Sequence, residues 1–233
     1  MDNITRLQYL EAMGIDVWVS KHKAQDEELS FFFDEKIVAD TSSNDETGLP
    51  EDKWNILQKE VAECMRCTLC NTRTQTVFGT GDKNADWMFI GEAPGHDEDL
   101  EGKPFLGQVG DLLTEMIRSL GLERDSVYIA NVLKCTVPDN KKPKVEEIKS
   151  CHDYLHRQIQ LVQPKVILAV GRIAAQTLLD TNEPLSKLRG VTHQLGGEIP
   201  LIVVYHPAYL LRSLLEKKKA WQDLQLAIKQ VKK

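Results

Sequence analysis

Four short runs of apolar residues recur after residue 86, and in none of them do apolar and polar positions alternate. They occupy residues 87–90, 127–130, 166–170 and 201–205. An uninterrupted apolar run of this length is typical of a strand that is buried on both faces, as parallel strands are. Each run therefore predicts one strand of a parallel sheet.

Segments with apolar residues at helical spacing separate these runs. They lie at residues 112–120, 145–162 and 173–179, and two further helices are predicted over 207–215 and 217–231. Strands that alternate with helices form α/β folds with helices on both faces of the sheet. The pattern predicts a three-layer α/β/α sandwich with a central four-stranded parallel sheet, whose ligand site lies at the carboxyl ends of the strands.

The first 53 residues have a different pattern. Ile4, Leu7 and Leu10 lie at helical spacing, and residues 19–53 are mostly polar and acidic. We interpret residues 1–53 as an acidic amino-terminal arm and linker that carries a partner-docking segment, and residues 54–233 as the main domain.

Charge is unevenly divided between these two parts. The whole chain has a formal net charge of −6, but residues 1–53 contain 5 Lys and Arg against 13 Asp and Glu, which leaves 24 against 22 for the rest. The main domain is therefore free to meet a polyanion locally. The chain has no apolar run of the roughly 18 residues that a membrane span needs and no secretion signal, so we expect a soluble, cytoplasmic protein with no membrane partner.

Several chemically distinctive side chains follow the predicted strands. Glu92 lies in the segment GEAPGHDED (91–99) after the first strand, Phe105 follows in the same connection, Asn131 ends the second strand and His206 follows the fourth. An aromatic ring, an amide, an imidazole and loop N–H groups together suit a planar heterocycle that is bound along its hydrogen-bonding edge. An adenine-nucleotide site is the competing interpretation, but the sequence lacks the glycine spacing of the phosphate-binding motifs.

Five cysteines are present, and three of them are separated by two residues each. These are Cys64, Cys67 and Cys70, and the other two are Cys135 and Cys151. We expect Cys64, Cys67, Cys135 and Cys151 to converge near one end of the sheet, with Cys70 as a spare thiol. Four thiolates suit either a zinc ion or an iron–sulfur cluster, and the spacing does not decide between them.

Four segments in a fixed order resemble the iron–sulfur, family 4 class of uracil-DNA glycosylases over about residues 60–230. They are CMRCTLCNTRTQ, then GEAPGHDED with GKPFLGQVG, then YIANVLKC, and finally HPAYLLR. The resemblance implies an enzyme of base excision repair that hydrolyses the N-glycosidic bond of a flipped-out deoxyuridine in DNA. It also implies a [4Fe-4S] cluster held by Cys64, Cys67, Cys135 and Cys151.

The same resemblance implies roles for individual residues. His206 and Glu92 would be catalytic, and the uracil pocket would comprise Glu92, Ala93, Glu98, Phe105, Asn131 and His206. Phe105 would stack on the base, Asn131 would pair with its Watson–Crick edge and His206 would donate to its O2. Glu98 would exclude the methyl group of thymine. Contacts with DNA would come from Leu210, Leu211 and Arg212.

The sequence differs from other families of uracil glycosylases at the position of their general base. Ala93 stands where uracil glycosylases of other families carry an aspartate that activates water. Family 4 members lack that aspartate as well, so activity is still expected, but the sequence identifies no general base.

The amino-terminal arm has a separate resemblance. RLQYLEAMGIDVWV (6–19) is similar to the beginning of the psi subunit of bacterial DNA polymerase III. This implies docking on the replicative clamp loader through residues 1–25. It leaves open an alternative function, in which the chain is a psi-like accessory subunit and the glycosylase fold is a scaffold. The segment can equally be an amphipathic helix that packs on its own chain.

Overall fold

A computed structural model of the protein describes residues 50–138 and 141–231, and in this part of the chain six strands form one sheet. The strands are β1 (Thr80–Gly81), β2 (Trp87–Gly91), β3 (Tyr128–Asn131), β4 (Val166–Val170), β5 (Thr192–Leu195) and β6 (Ile199–Val204). Their spatial order is β1-β3-β2-β4-β6-β5. The four central strands are parallel, and β1 and β5 pair antiparallel at the two edges.

Eight α-helices are described around this sheet. They are α1 (Pro50–Ala62), α2 (His96–Glu101), α3 (Gly107–Ser119), α4 (Val145–Val162), α5 (Arg172–Leu178), α6 (Leu185–Leu188), α7 (Pro207–Arg212) and α8 (Lys217–Val231). Short 3₁₀ helices lie at Thr68–Asn71, Arg124–Ser126 and Leu214–Glu216.

The sheet has one apolar core on each of its two faces. Side chains alternate between the faces of a sheet, so successive residues of each central strand pack into different cores. Met88 and Ile90 of β2 pack with α1, α4 and α5 on one face. Trp87 and Phe89 pack with α3 and α8 on the other face. Both cores are apolar, which explains why the strand sequences show no alternation. The three-layer α/β/α sandwich with its four central parallel strands is confirmed.

The two edge strands were not predicted. β1 has only two residues, and no side chain of β5 is fully buried, so neither produces an apolar run. β5 is joined to β6 by a turn in which Gly196 and Gly197 have φ of +60° and +77°. The predicted four-stranded sheet is therefore the centre of a six-stranded one.

Some helix ends differ from the prediction. The helix predicted over 112–120 begins earlier, at Gly107. The helix predicted over 207–215 ends at Arg212, because Ser213 adopts a non-helical conformation with φ −132° and ψ 73°. Helix α1 begins at Pro50, before the predicted domain boundary at residue 54. The rest of the predicted arm, residues 1–49, lies outside the described residues.

The order of the strands creates a crevice beside β2. The chain passes from β2 to β3 on one side and then to β4 on the other side. In open α/β sheets, ligands bind at the carboxyl ends of the strands where the direction reverses in this way. Among the described residues, no helix has the length and apolar character needed to cross a membrane.

Candidate active site

A cavity of about 400 Å³ opens at the carboxyl ends of β2, β3 and β6. Its volume lies in the ordinary range for small-ligand sites. It is lined by Ala93, Gly95, His96, Asp97, Glu98, Phe105, Leu106, Val109, Asn131, His206 and Ala208. The fold thus brings together five of the six residues expected to form the base pocket, from connections that are far apart in sequence.

Asn131 ends β3 and is 2% exposed. Its Nδ2 is buried and has no hydrogen-bond partner within the described part of the chain. Buried polar groups are nearly always paired, since an unpaired one costs about 1–3 kcal/mol. A buried amide that lines a cavity with an unused donor is suited to a ligand that supplies a carbonyl oxygen.

Gly91 makes room for this amide. It pairs in register with Asn131 across the parallel strands β2 and β3. A Cβ at position 91 would overlap with Asn131 Oδ1 and with Phe105 Cζ, at distances that real Cβ atoms essentially never show. Only glycine lets the amide and the aromatic ring lie together at this point.

Phe105 lies close to the amide, since the same Cβ at position 91 would meet both side chains, and it is 4% exposed. Its φ is +56°, a conformation that is strained for a bulky residue. Its ring stacks against the imidazole of His206, with centroids 5.6 Å apart and planes inclined at 28°. The aromatic face predicted for the pocket is therefore present beside the predicted imidazole.

His206 is fixed in one tautomer by the start of α7. Its Nδ1 accepts a hydrogen bond of 3.2 Å from the backbone N–H of Ala208. Burial, together with the weaker effect of the positive charge of Arg212, lowers the pKa of His206 to about 4. The imidazole is therefore neutral at pH 7, and because Nδ1 is an acceptor, Nε2 carries the proton and can donate.

Glu92 lies at the edge of the site and does not line the cavity. It is half-buried at the end of β2, and its backbone carbonyl accepts a hydrogen bond of 3.0 Å from the N–H of Leu133. Burial raises the pKa of its carboxyl, while the charges of Arg172 and Lys142 oppose this rise. Of the residues expected in the pocket, Glu92 is the one that the structure places beside it.

Glu98 lines the cavity, but its carboxylate is engaged with the backbone. Oε2 accepts from the N–H of Gly95 at 2.7 Å, and Oε1 accepts from the N–H of Leu106 at 3.2 Å. Burial raises the pKa of this carboxyl, and the backbone N–H groups lower it. Glu98 thus joins two of the loops that form the cavity.

Of the three residues expected to contact DNA, one is buried in the core and two are exposed on the surface. Leu210 is 1% exposed and belongs to the apolar core between the sheet and α3, so it lies in the interior, and its role as a DNA contact stays a prediction. The single helical turn after Pro207 points this residue inward. Leu211, at 38% exposure, and the exposed Arg212 face outward, and Leu215 follows at 92% exposure.

The cysteines form a second region on the other face of the sheet. Cys135 and Cys151 are buried in the core to which Cys64 and Cys67 also pack. Burial raises the pKa of Cys135 and raises that of Cys151 to about 11. Arg73 opposes the rise in the pKa of Cys135, and Lys134 opposes the rise in that of Cys151. Among the described residues, no group of three or more His, Cys, Asp or Glu is arranged to hold a metal ion.

Two basic residues that the sequence did not single out contact these thiols. Arg73 Nη1 donates to Cys135 Sγ at 3.1 Å, and its Nη2 donates to the carbonyl of Cys64 at 2.7 Å. The backbone N–H of Lys134 donates to Cys151 Sγ at 3.3 Å. Arg73 lies in the same short segment as the first cysteines, and that proximity is the signal that could have identified it.

The class of protein is defined by this α/β fold with a cavity at the carboxyl ends of its central strands, lined by an amide, an aromatic ring and an imidazole. Residues 78–225 match the family described as the Uracil DNA glycosylase superfamily. A Type-4 uracil-DNA glycosylase of Archaeoglobus fulgidus is 44% identical over 160 residues, which cover 66% of this chain and 80% of that protein. The chain therefore belongs to the uracil DNA glycosylase superfamily, in its type-4 branch.

Further relatives agree with this assignment. The Type-4 uracil-DNA glycosylase of Sulfurisphaera tokodaii is 41% identical over 179 residues, covering 71% of this chain and 81% of that protein. The Type-4 uracil-DNA glycosylase of Thermotoga maritima is 39% identical over 164 residues, covering 70% of this chain and 85% of that protein. The resemblance seen in the sequence motifs is confirmed.

Proposed function

We propose that this protein removes uracil from DNA by hydrolysing the N-glycosidic bond of an extruded deoxyuridine, as the first step of base excision repair. Membership of the uracil DNA glycosylase superfamily supports the reaction class. The observation that carries the proposal within the molecule is the buried, unpartnered Nδ2 of Asn131 in the cavity.

Asn131 distinguishes uracil by its pattern of donors and acceptors. Its Nδ2 donates to O4 of uracil, and its Oδ1 accepts from N3–H. Cytosine presents an acceptor at N3 and a donor at C4, so both polar groups of the amide would remain buried and unpaired. Each such group costs about 1–3 kcal/mol, which is enough for strong discrimination.

His206 stabilises the leaving group. Breaking the glycosidic bond leaves negative charge on the uracil ring, and a donor placed at O2 acts where that charge develops. The neutral imidazole donates through Nε2, because its Nδ1 is held by the N–H of Ala208. The donor is already oriented before the base enters, so little reorganisation is needed during the reaction.

The remaining pocket residues complete the recognition of the base. Phe105 stacks on one face of the uracil ring, and the backbone near Ala93 borders the pocket. Glu98 occupies the side on which the 5-methyl group of thymine would lie. Glu92 is assigned to catalysis from beside the cavity, where its half-buried carboxyl has a raised pKa.

We also assign a [4Fe-4S] cluster to the cysteine region, with Cys64, Cys67, Cys135 and Cys151 as its ligands. Soft thiolates suit iron–sulfur clusters, and these four side chains pack at one core. The guanidinium of Arg73 at the sulfur of Cys135 offsets part of the thiolate charge. The cluster would supply a structural link between the segment after α1 and the segments after β3.

DNA contact is assigned to the surface that follows the pocket. Leu211 and Arg212 lie at the end of α7, directly after His206 and its turn. Leu214 and Leu215 are exposed by 63% and 92%, and three lysines follow at 217–219. Exposed apolar side chains beside basic ones suit a surface that contacts both unstacked bases and phosphates.

A uracil-release assay tests the proposed function. The purified protein should convert an oligonucleotide with one deoxyuridine into free uracil and an alkali-labile abasic site. The same oligonucleotide with thymine or cytosine at that position should remain intact. Failure to release uracil from both single-stranded and duplex DNA would refute the proposal.

The psi-like alternative has no support from the relatives or from the fold. Its docking segment, residues 1–25, lies outside the described residues, so the clamp-loader contact stays a prediction. Co-purification of the full chain, but not of a variant lacking residues 1–25, with the clamp-loader complex would establish it.

A further inference from the structure

The turn that carries Phe105 is unusual in its backbone conformation. Phe105 has a φ of +56°, and among the described residues other than glycine only Gln163 and Asp180 also have a positive φ. A residue in a sparsely populated conformation persists only where its surroundings hold it there. We call residues 104–106 the Phe105 turn.

Arg124 holds the carbonyl side of the Phe105 turn. Its Nη2 donates to the carbonyl oxygen of Pro104 at 2.9 Å and to that of Phe105 at 3.0 Å. Its Nη1 donates to Thr114 Oγ1 at 3.0 Å and to the carbonyl oxygen of Gly110 at 3.3 Å. One half-buried guanidinium thus connects the turn with the first two turns of α3.

Glu98 holds the N–H side of the same turn. One carboxylate oxygen accepts from the N–H of Leu106 at 3.2 Å, and the other accepts from the N–H of Gly95 at 2.7 Å. The charges of Glu98 and Arg124 also attract each other across the turn. The peptide groups on both sides of Phe105 are therefore held by side chains of opposite charge.

The Phe105 turn lies so close to α3 that it has little room to adopt another conformation. A Cβ at Gly110 would lie 1.9 Å from the carbonyl oxygen of Phe105. Arg124 can bind several carbonyl oxygens at once because its donors form a planar fork, which lysine lacks. The side chain that this arrangement directs toward the cavity is the ring of Phe105.

We propose that Arg124 and Glu98 are positioning residues that hold the Phe105 turn, and so place the aromatic ring against the bound base. This inference rests on the proposed function, because it assigns the ring a role in base binding. A small displacement of a group that contacts the reacting base lowers the rate strongly, and a displacement of 1 Å can cost about a hundredfold.

A double-mutant cycle tests whether Arg124 acts through the ring. Arg124→Gln should lower the single-turnover rate of uracil excision by about tenfold or more in the wild-type background. In the Phe105→Leu background the same substitution should cost less than about threefold, because the ring it positions is gone. Equal effects in both backgrounds would overturn the proposal.

Two further variants separate positioning from general loss of folding. Arg124→Lys keeps the charge but not the fork, so it should restore little of the rate. Thr114→Val is the matched control, because it removes one acceptor of Arg124 and leaves both contacts with the turn. It should reduce the rate by less than about threefold. A loss with Thr114→Val as large as that with Arg124→Gln would contradict the assignment.

Amide hydrogen exchange provides a readout that does not depend on activity. In Arg124→Gln and in Glu98→Gln, peptides covering residues 102–111 should exchange faster, while peptides from β4 and β6 keep their protection. Unchanged exchange at 102–111 would overturn the inference even if excision fell. Wild-type protein that released no uracil would instead refute the proposed function, and the exchange result would still decide the role of Arg124 in holding the turn.

Discussion

The base pocket and the cysteine region differ in whether their buried polar atoms have hydrogen-bond partners. In the pocket, Asn131 keeps an unused amide donor beside an open cavity. In the cysteine region, the sulfur atoms of Cys135 and Cys151 each accept a hydrogen bond from a basic residue. A buried amide without a hydrogen-bond partner is suited to a ligand that enters and leaves the pocket. Sulfur atoms that already accept hydrogen bonds are suited to a permanently bound cofactor that joins segments of the chain.

The two regions meet in one short segment. Lys134 is 1% exposed, and its Nζ donates to the carbonyl oxygen of Asn131 at 2.8 Å and to Gln158 Oε1 at 2.6 Å. Its own backbone N–H donates to Cys151 Sγ. Damage to the cysteine region that displaces Lys134 is therefore expected to reach the pocket, whereas a change in the pocket that leaves Lys134 in place is not expected to reach the cysteines.

The largest effect is expected from a cysteine ligand. Cys135→Ser should abolish the brown colour of anaerobically purified protein, remove its content of about four irons, and lower stability. Iron analysis and thermal unfolding measure this effect, with Cys70→Ser as the control that keeps colour and iron. Stoichiometric zinc without iron in the wild-type protein would contradict the cluster assignment.

Gly91→Ala should disturb the pocket and leave the cysteine region intact. The added Cβ would overlap with Asn131 Oδ1 and with the ring of Phe105, so both must move. We expect a loss of uracil excision of about a hundredfold, since misplacement by about 1 Å has that effect. Iron content should equal that of the wild type, and a rate within twofold of the wild-type rate would show that the amide and ring need no such fit.

Asn131→Asp should lower the rate of uracil excision by about tenfold to a hundredfold, because the carboxylate cannot donate to O4 and one hydrogen bond of about 1–3 kcal/mol is lost. Single-turnover kinetics with a deoxyuridine oligonucleotide measure the loss. An undiminished rate would mean that this amide does not pair with the base.

Acid should destabilise the fold through His206. Its pKa is about 4 in the folded protein against 6.5 ordinarily, so between these values the unfolded chain binds a proton that the folded chain does not. The stability present above pH 6.5 should fall by up to about 3 kcal/mol as the pH drops to 4. Urea unfolding at pH 7 and 4.5 should show a smaller fall for His206→Gln; identical falls would refute the shifted pKa.

The sequence predicted the parts of the fold that depend on burial. The four central strands were recognisable because both faces of each strand are apolar, as in Val166–Val170. The edge strand Thr192–Leu195 was not, because its side chains are half-exposed or exposed and mixed in character. Burial of whole segments leaves a pattern in the sequence, and pairing at an edge leaves almost none.

The pocket was predictable only in part. Asn131 and His206 could be located because they directly follow strands whose carboxyl ends must meet. Leu210 was assigned to the surface because sequence alone does not show which way one helical turn faces. Arg124 gave no signal, since its partners are main-chain carbonyls that the fold alone brings near.

The central claim is that the pocket stabilises the uracil anion as the bond breaks, and His206→Ala tests it most directly. The single-turnover rate should fall by about a hundredfold to a thousandfold, as for loss of one donor to a developing oxyanion. The dissociation constant for the same deoxyuridine oligonucleotide should change by less than about threefold, because the interaction forms mainly in the transition state. An equal loss of rate and affinity, or a rate that does not change, would contradict the account.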